Sequence, residues 1–481
     1  MNTTEETGVT RALAEFVAKV SYNDLPQEVI QDVKRFFLDS IGCALAGWTV
    51  DKGRLAAALA EKLGGDAQSL TIGGKRISTP NAAFANGELM NALDFDPTCK
   101  EGHIVPYAIP AILALSESVK ASGQDLILSL AVAQEVATRL GESLSPLSVV
   151  VEAKDGTRNF QFSSVYGLGS KSIGGVAGSA KAMGLDVKKT LYAIGLAGRI
   201  APVPSEIKWA ETLPSSMDKY LSPGMVSQTE VLCALLADTG YTGDTSVLDG
   251  ENGFWKFFGS TKWEPRHILE GLGKTWHFPT STYYKLFPCC AIIQHGLELF
   301  ASLIDDNKLT PDDIDEVKVC LPALWAGSRY PLWTNKEIST HIETQFSVPY
   351  TFSVVAHRLK SGPRWQHEAT IRRKDIVAFM NKVNLQPNPK SAEGKEWIEP
   401  LLPTAIEVKT KGRTFRDDEA KAVPKVGKLT NNDLIDKFTT NAQGRLSEKN
   451  ARQFVKEVFE LEKVKDVSQL MRLVAGGSTR S

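Results

Sequence analysis

"SSVYGLGSKSIGGVAGSAKAMGLDVKKTLYAIGLAGRIA", residues 163–201, is made largely of glycine, alanine and serine. Side chains this small let helix backbones approach closely, as a core of many packed helices requires. Within it, "GLGSKSIGG" (167–175) has the glycines of a phosphate loop but not the G-x-x-x-x-G-K-[ST] order, and no clear strand precedes it. Helix packing is therefore its expected role. Upstream, "TRALAEFVAKV" and "LPQEVIQDVKRFFLDSIGCALAG" read as two helices within 10–47, the second with Pro26 near its start and Gly47 just past its end. Residues 80–92, 106–122 and 124–141 continue the helical pattern. The last of these, "QDLILSLAVAQEVATRLG", is expected to be a buried helix whose charged ends reach solvent.

Near residue 275 the pattern changes. "EVKVCLPAL" (316–324) alternates as a strand does, and "TAIEVKTKGRTFRDDEA" (404–420) reads as a hairpin turning at Lys411–Gly412. Between them "FSVPYTFSVVAHRLKSG" reads as an amphipathic helix. After about 422, "LTNNDLIDKFTTNA" and "SEKNARQFVKEVFELEKV" return to that pattern. The expected fold is mainly α: a large all-helical domain built from both chain ends (1–277 and 423–481), with a smaller α+β domain (278–422) inserted.

The length favours two domains and allows three, since 481 residues exceed one compact core. A composition of 42% hydrophobic and 23% charged residues, with a net charge of −1, supplies no basic field for nucleic acid and no polybasic membrane patch. The first residues lack the basic start and apolar core of a signal peptide, and no window resembles a membrane span. Six cysteines without any C-x-x-C spacing argue against zinc, an iron–sulfur cluster or a disulfide framework. Reduced thiols in a cytoplasmic protein are expected, with the vicinal pair Cys289–Cys290 serving packing.

Chemistry is concentrated in "NALDFDPTCKEGH" (91–103), a polar run between two apolar stretches. Asp94 and His103 are acid–base candidates, because a carboxylate beside an imidazole orients it and holds its proton. The plainer alternative is an Asx-type turn at Asp96–Pro97, with Asp94 capping a helix. "SSMDKYLSPG" (215–224) places Lys219 in a loop between Pro214 and Pro223, where its ammonium could meet a carboxylate or simply be solvated. "STYYKLFPCCAIIQHGLELF" (281–300) sets Lys285 among aromatic residues before a prolyl turn, followed by His295, which reads as a satisfied core histidine. Together these suggest one anionic pocket, a carboxylate–imidazole pair plus two lysines, with neither a metal site nor a nucleotide loop. Such a pocket suits proton abstraction α to a carboxylate.

The order and spacing of "FFLDSIGCALAG", "AFANGELMNALDFDPT" followed by His103, "YGLGSKSIGGVAGSAKAMGLD", "DKYLSPG", "GYTGD…LDGENGFW", "YKLFPCC" and "ETQFSVPYTFSVVAHRL" resemble the MmgE/PrpD family from about residue 10 to 470. The resemblance implies a cofactor-independent enzyme for small di- or tricarboxylic acids. It also implies that the inserted domain acts as a lid over an active-site cleft, and that the protein is a homodimer. It assigns catalytic roles to Asp94, His103 and Lys219, and substrate contacts to Thr98 and Lys285. The sequence departs from the family pattern at Asn91, Pro97 and Ile104, and Gln161 stands where a second family histidine aligns. Glutamine can bind a carboxylate but shuttles no proton near neutral pH.

The expected activity is a lyase reaction, most readily dehydration of a 2-methylcitrate- or alkylcitrate-like substrate. Decarboxylation of the cis-aconitate type and epimerisation of a dicarboxylic acid are the alternatives in the same pocket, and a non-catalytic carboxylate binder is the remote one. Neither nucleic acid nor membrane is an expected partner. Trp325, Tyr330 and Trp333 are expected to shape the lid side of the pocket.

Overall fold

The computed structural model describes residues 8–99, 101–145, 148–152, 158–162, 168–202, 206–219, 221–321, 331–388, 404–418 and 428–476. The fold is mainly α. The first core gathers α1 (Val9–Lys19), α2 (Gln27–Gly47), α3 (Asp51–Leu63), α4 (Thr79–Asn91), α5 (Val105–Ser118), α6 (Gly123–Ser143), α7 (Leu168–Ala182) and α8 (Val187–Arg199). After the short α9 (Glu206–Ala210), α10 (Pro223–Asp238) packs across α4 and α5, and the short α11 (Phe254–Phe258) and α12 (Arg266–Leu269) close this part.

Local signals explain where these helices start. Ser122 and Asp125 form a capping box at α6, Ser122 Oγ accepting from the Asp125 amide at 3.2 Å and Asp125 Oδ2 from the Ser122 amide at 3.0 Å. Pro223 opens α10 behind Ser222, where its missing N–H costs nothing. The small residues of α7 act as expected: a Cβ on Gly178 would lie 2.6 Å from the Ser129 carbonyl, so only glycine allows α7 this close to α6.

A second core is built around a four-stranded sheet of order β6-β5-β7-β8, formed by β5 (Ile314–Leu321), β6 (Val383–Pro387), β7 (Ala405–Thr410) and β8 (Thr414–Asp418). β5 runs parallel to β6 and antiparallel to β7, and the β7–β8 hairpin turns at residues 411–413. On this sheet pack α13 (Ala291–Asp306) and α15 (Val348–Ala356); α14 (His341–Thr344), α16 (Glu368–Ile371) and α17 (Lys374–Met380) complete the unit. The chain then returns: α18 (Asn431–Ala442) lies along α2, and Leu434 and Phe438 join α19 (Glu448–Phe459) and α20 (Val467–Met471) in the first core.

Four expectations need correction. The helical part carries two small antiparallel ribbons, β1–β2 (Ser69–Leu70, Arg76–Ile77) and β3–β4 (Ser148–Glu152, Arg158–Phe162). A strand therefore does precede "GLGSKSIGG", yet from Leu168 onward that motif is α-helix, which leaves it no phosphate loop. Toward the C-terminal end of α6, Glu135 and Arg139 do not reach solvent: both are buried and bonded to each other. α15 is not amphipathic either, since every one of its residues is buried between the sheet and its neighbours. All six cysteines are free thiols. Among the described residues no helix is long and apolar enough to cross a membrane.

Candidate active site

α4 ends at Asn91 and α5 begins at Val105 with Pro106 in its first turn. The loop between them is buried at every position from Ala92 to Cys99. Irregular backbone away from water must find partners for its polar groups or lose stability. Here five consecutive carbonyls each accept from a different distant side chain. Lys219 Nζ bonds Asn91 O at 3.1 Å, Gln345 Nε2 bonds Ala92 O at 2.8 Å and Gln366 Nε2 bonds Leu93 O at 2.8 Å. Lys285 Nζ bonds Asp94 O at 2.8 Å and Lys437 Nζ bonds Phe95 O at 2.8 Å. Both cores and the returning α18 thus meet on this one loop.

The loop brings together the charges. Asp94 Oδ1 lies 2.9 Å from Lys219 Nζ, and Asp94 Oδ2 lies 3.0 Å from Lys285 Nζ. His103 Nδ1 lies 2.5 Å from Asp96 Oδ2, while its Nε2 is 3.4 Å from Asp94 Oδ1. Asn91 Nδ2 donates to Asp96 Oδ1 at 3.0 Å. The two aspartates and two lysines are fully buried, and His103 is 9% exposed. Asp94 and Lys219 both have left-handed backbone, with φ of 53° and 29°. Non-glycine residues adopt that region at a cost, which the surrounding contacts must offset.

Each lysine is delivered by a fixed approach. α10, just after Lys219, crosses α4 where a Cβ on Gly87 would lie 2.8 Å from the Gly224 nitrogen, so these two glycines set the depth of the lysine loop. Lys285 follows a two-way backbone bridge: the Thr98 amide donates to Tyr283 O at 2.9 Å and the Tyr283 amide to Thr98 O at 2.7 Å. Phe346 lies beneath Lys219, whose Nζ is 5.8 Å from the ring centre.

Burial alone would push the Asp94 carboxyl up, but Lys219, Lys285 and His103 outweigh it and hold the group well below the usual carboxylate range. Burial also opposes the charge on Asp96, and His103 beside it wins, so this carboxyl too is lowered. For His103 burial dominates over the pull of Asp96, and the imidazole is shifted down. Burial brings Lys219 down to about 8 despite Asp94. Lys285 goes the other way: burial lowers it, yet Asp94 and Asp96 raise it above the ordinary lysine value. A neutral imidazole donating from Nδ1 to Asp96 leaves Nε2 as the basic nitrogen, next to an ionised carboxylate and two ammonium groups.

Asp94, Asp96 and His103 offer ligand atoms within 4.8 Å of one another. Both Asp94 oxygens already face ammonium groups, and a divalent cation would sit in their repulsive field. The donor set fits an ionic network better than a metal centre.

The structure brings Asp94, His103, Lys219 and Lys285 into one cluster, with Thr98 linked through its backbone. The side chain close enough to orient His103 through Nδ1 is Asp96, where the sequence pointed to Asp94. An aspartate before proline reads as a turn, which hid it. Gln161 lies on β4 opposite Val149, and its side chain falls outside the described residues. Trp325 and Tyr330 also fall outside them, whereas Trp333 is buried edge-on against Phe346. His295 is buried, but neither ring nitrogen has a hydrogen-bond partner, so it is not the satisfied core histidine expected.

Residues 11–266 match the MmgE/PrpD N-terminal domain and residues 287–462 the MmgE/PrpD C-terminal domain. The chain belongs to the MmgE/PrpD family. Among curated proteins it is similar to the cis-aconitate decarboxylase of Homo sapiens, 28% identical over 98% of this chain and 95% of that protein. The cis-aconitate decarboxylase of Aspergillus terreus is 23% identical over 98% of this chain and 96% of that protein.

Proposed function

We propose that this protein is a cofactor-independent lyase that decarboxylates a small unsaturated tricarboxylate of the cis-aconitate type. One observation carries the reading: a buried, ionised Asp94 holds two ammonium groups side by side with an imidazole nitrogen 3.4 Å away. Full-length similarity to cis-aconitate decarboxylases favours loss of CO2 over loss of water as the outcome. Lys219 and Lys285 would exchange part of their contact with Asp94 for substrate carboxylates.

In such a substrate the C–C bond to one carboxylate breaks and CO2 leaves. The electron pair moves through the C=C bond toward a remaining carboxylate, and the distal carbon takes a proton. The lysines stabilise the charge that develops. His103 supplies the proton: the entering negative charges raise its depressed pKa, and Asp96 on Nδ1 holds the imidazolium. Because every charged group is buried, substrate entry requires the two cores to part around the loop.

We extend the proposal to a helical domain of residues 1–277 and 423–481 with a 278–422 lid, and to Thr98 and Gln161 as substrate contacts. We further propose a homodimer located in the cytoplasm. Exposed Leu55, Leu59 and Leu63 along α3 and Met225 and Leu232 on α10 support the dimer, and the free thiols support a reducing compartment.

Proton NMR in D2O tests the reaction with cis-aconitate, 2-methylcitrate and iminodisuccinate in parallel. New methylene signals from cis-aconitate with release of CO2 are expected, and His103→Ala should slow them by about a hundredfold or more. Water loss from 2-methylcitrate alone would make the enzyme a hydro-lyase instead. No change in any compound would leave a carboxylate binder.

A further inference from the structure

Behind the active-site loop lies a cavity of about 150 Å³ between α18 and the wall formed by Phe95 and Leu286. Its α18 side consists of positions 433, 436, 437, 440 and 441, one helical face, and every residue on that face is polar. The opposite face of α18 carries Leu434 and Phe438 into the first core, so packing already accounts for the apolar side. The polar face looks into the empty space.

At the inner end stands Asn441. It is 2% exposed, and neither its amide nitrogen nor its amide oxygen has a hydrogen-bond partner. A buried primary amide with both edges unmet is costly, and an occupant that meets both would relieve it. Lys437 is already paired with Asp39 and Asp433 accepts from the Thr430 amide, which leaves Lys360 and Asp436 as opposite charges on the lining, so it favours an uncharged occupant. Phe95 and Leu286 supply apolar contact on the other side. A cavity of this size holds a molecule of roughly six heavy atoms.

We propose that the cavity is a binding subsite for a small uncharged primary amide, held by paired donor and acceptor contacts to the Asn441 carboxamide. A primary amide presents its acceptor and donor on neighbouring atoms in the order that complements asparagine. The subsite is separate from the ionic cluster yet adjoins it: Phe95 sits between Asp94 and Asp96, and Leu286 follows Lys285. Its occupant would rest on the same residue whose carbonyl Lys437 holds. The inference stands on this geometry and does not depend on the proposed reaction.

Ligand-detected saturation-transfer NMR on the whole 481-residue chain tests it with propanamide, using propanoate and propylammonium as controls of similar size. Propanamide should bind at least tenfold more tightly than either ion. Asn441→Leu, which fills similar volume without the amide, should weaken propanamide at least tenfold. Asn441→Asp, which keeps the shape and loses the donor, guards against a folding defect in the first variant and should also weaken it. Tricarballylate, a saturated tricarboxylate directed at the ionic cluster, should leave propanamide bound. No transfer to wild type, equal binding to both variants, equal binding of the ions, or displacement by tricarballylate would each overturn the proposal.

Discussion

Two stretches of backbone, one partly exposed and one fully buried, are held in this molecule by opposite means. Around residues 267–275 a single guanidinium does the work. Arg139, fully buried on α6, donates to the carbonyls of Ile268, Glu270 and Thr275 at 3.2, 2.7 and 2.7 Å and to Glu135 at 2.5 Å. In the loop from Asn91 to Phe95, five side chains from five separate parts of the chain take one carbonyl each. One arginine suits a stretch that must only stay in place, because its planar fork is fixed and always charged. Lysines can move between partners and change protonation, so a loop secured by them can also carry chemistry.

The largest expected effect lies on the arginine side. Arg139→Met leaves Glu135 buried without its cation and several carbonyls unmet, which should cost about 3–5 kcal/mol of stability. Chemical denaturation measures the loss, and turnover per folded molecule should be nearly unchanged; a large loss of turnover at full stability would erase the contrast. Lys437→Met should give a smaller and mixed result. Asp39, which pairs with Lys437 at 2.8 Å, already has its carboxyl raised by burial and can protonate, so about 1–3 kcal/mol is expected. Turnover should also fall, by about tenfold, because Phe95 O loses its donor next to Asp94; each factor of ten is about 1.4 kcal/mol of transition-state stabilisation. A stability loss with no change in turnover would place Lys437 with Arg139 as a purely structural cation.

The smallest effect is a pH dependence. Lys219 titrates at about 8 in the folded protein, against 10.5 for an ordinary lysine. Between those values the unfolded chain binds more protons than the folded one, so this group's contribution to stability rises with pH across that window. Wild-type Tm measured from pH 7.5 to 9.5 should therefore climb relative to Lys219→Met. A flat difference would mean that Lys219 titrates like a surface lysine.

These two regions also show what a sequence reveals and what it hides. Asp94, His103, Lys219 and Lys285 were legible because polar and charged types interrupt apolar or prolyl surroundings, where packing gives no reason for them. Asp96 was masked by the proline after it. Gln345, Gln366 and Lys437 were illegible, since each lies more than two hundred residues from the carbonyl it holds and looks ordinary in its own helix or turn. Arg139 misled for a similar reason: an arginine near a helix end normally reaches water, and only the tertiary fold shows the carbonyls that keep it inside. The helices themselves were readable from periodicity and small-residue density. The two-residue strands are too short to have a period of their own, and "SVVVE" (148–152) does not alternate as a half-buried strand does.

Lys437 lies 342 residues beyond the carbonyl it holds in the loop. A polypeptide still leaving the ribosome can form α4 and α5 long before α18 exists, and during that interval Phe95 O has no cation to hold it. Of the five donors in the row, Lys437 is the last to be synthesised. The buried loop therefore depends on a helix made long after it: its five carbonyls have all their donors only once α18 is in place.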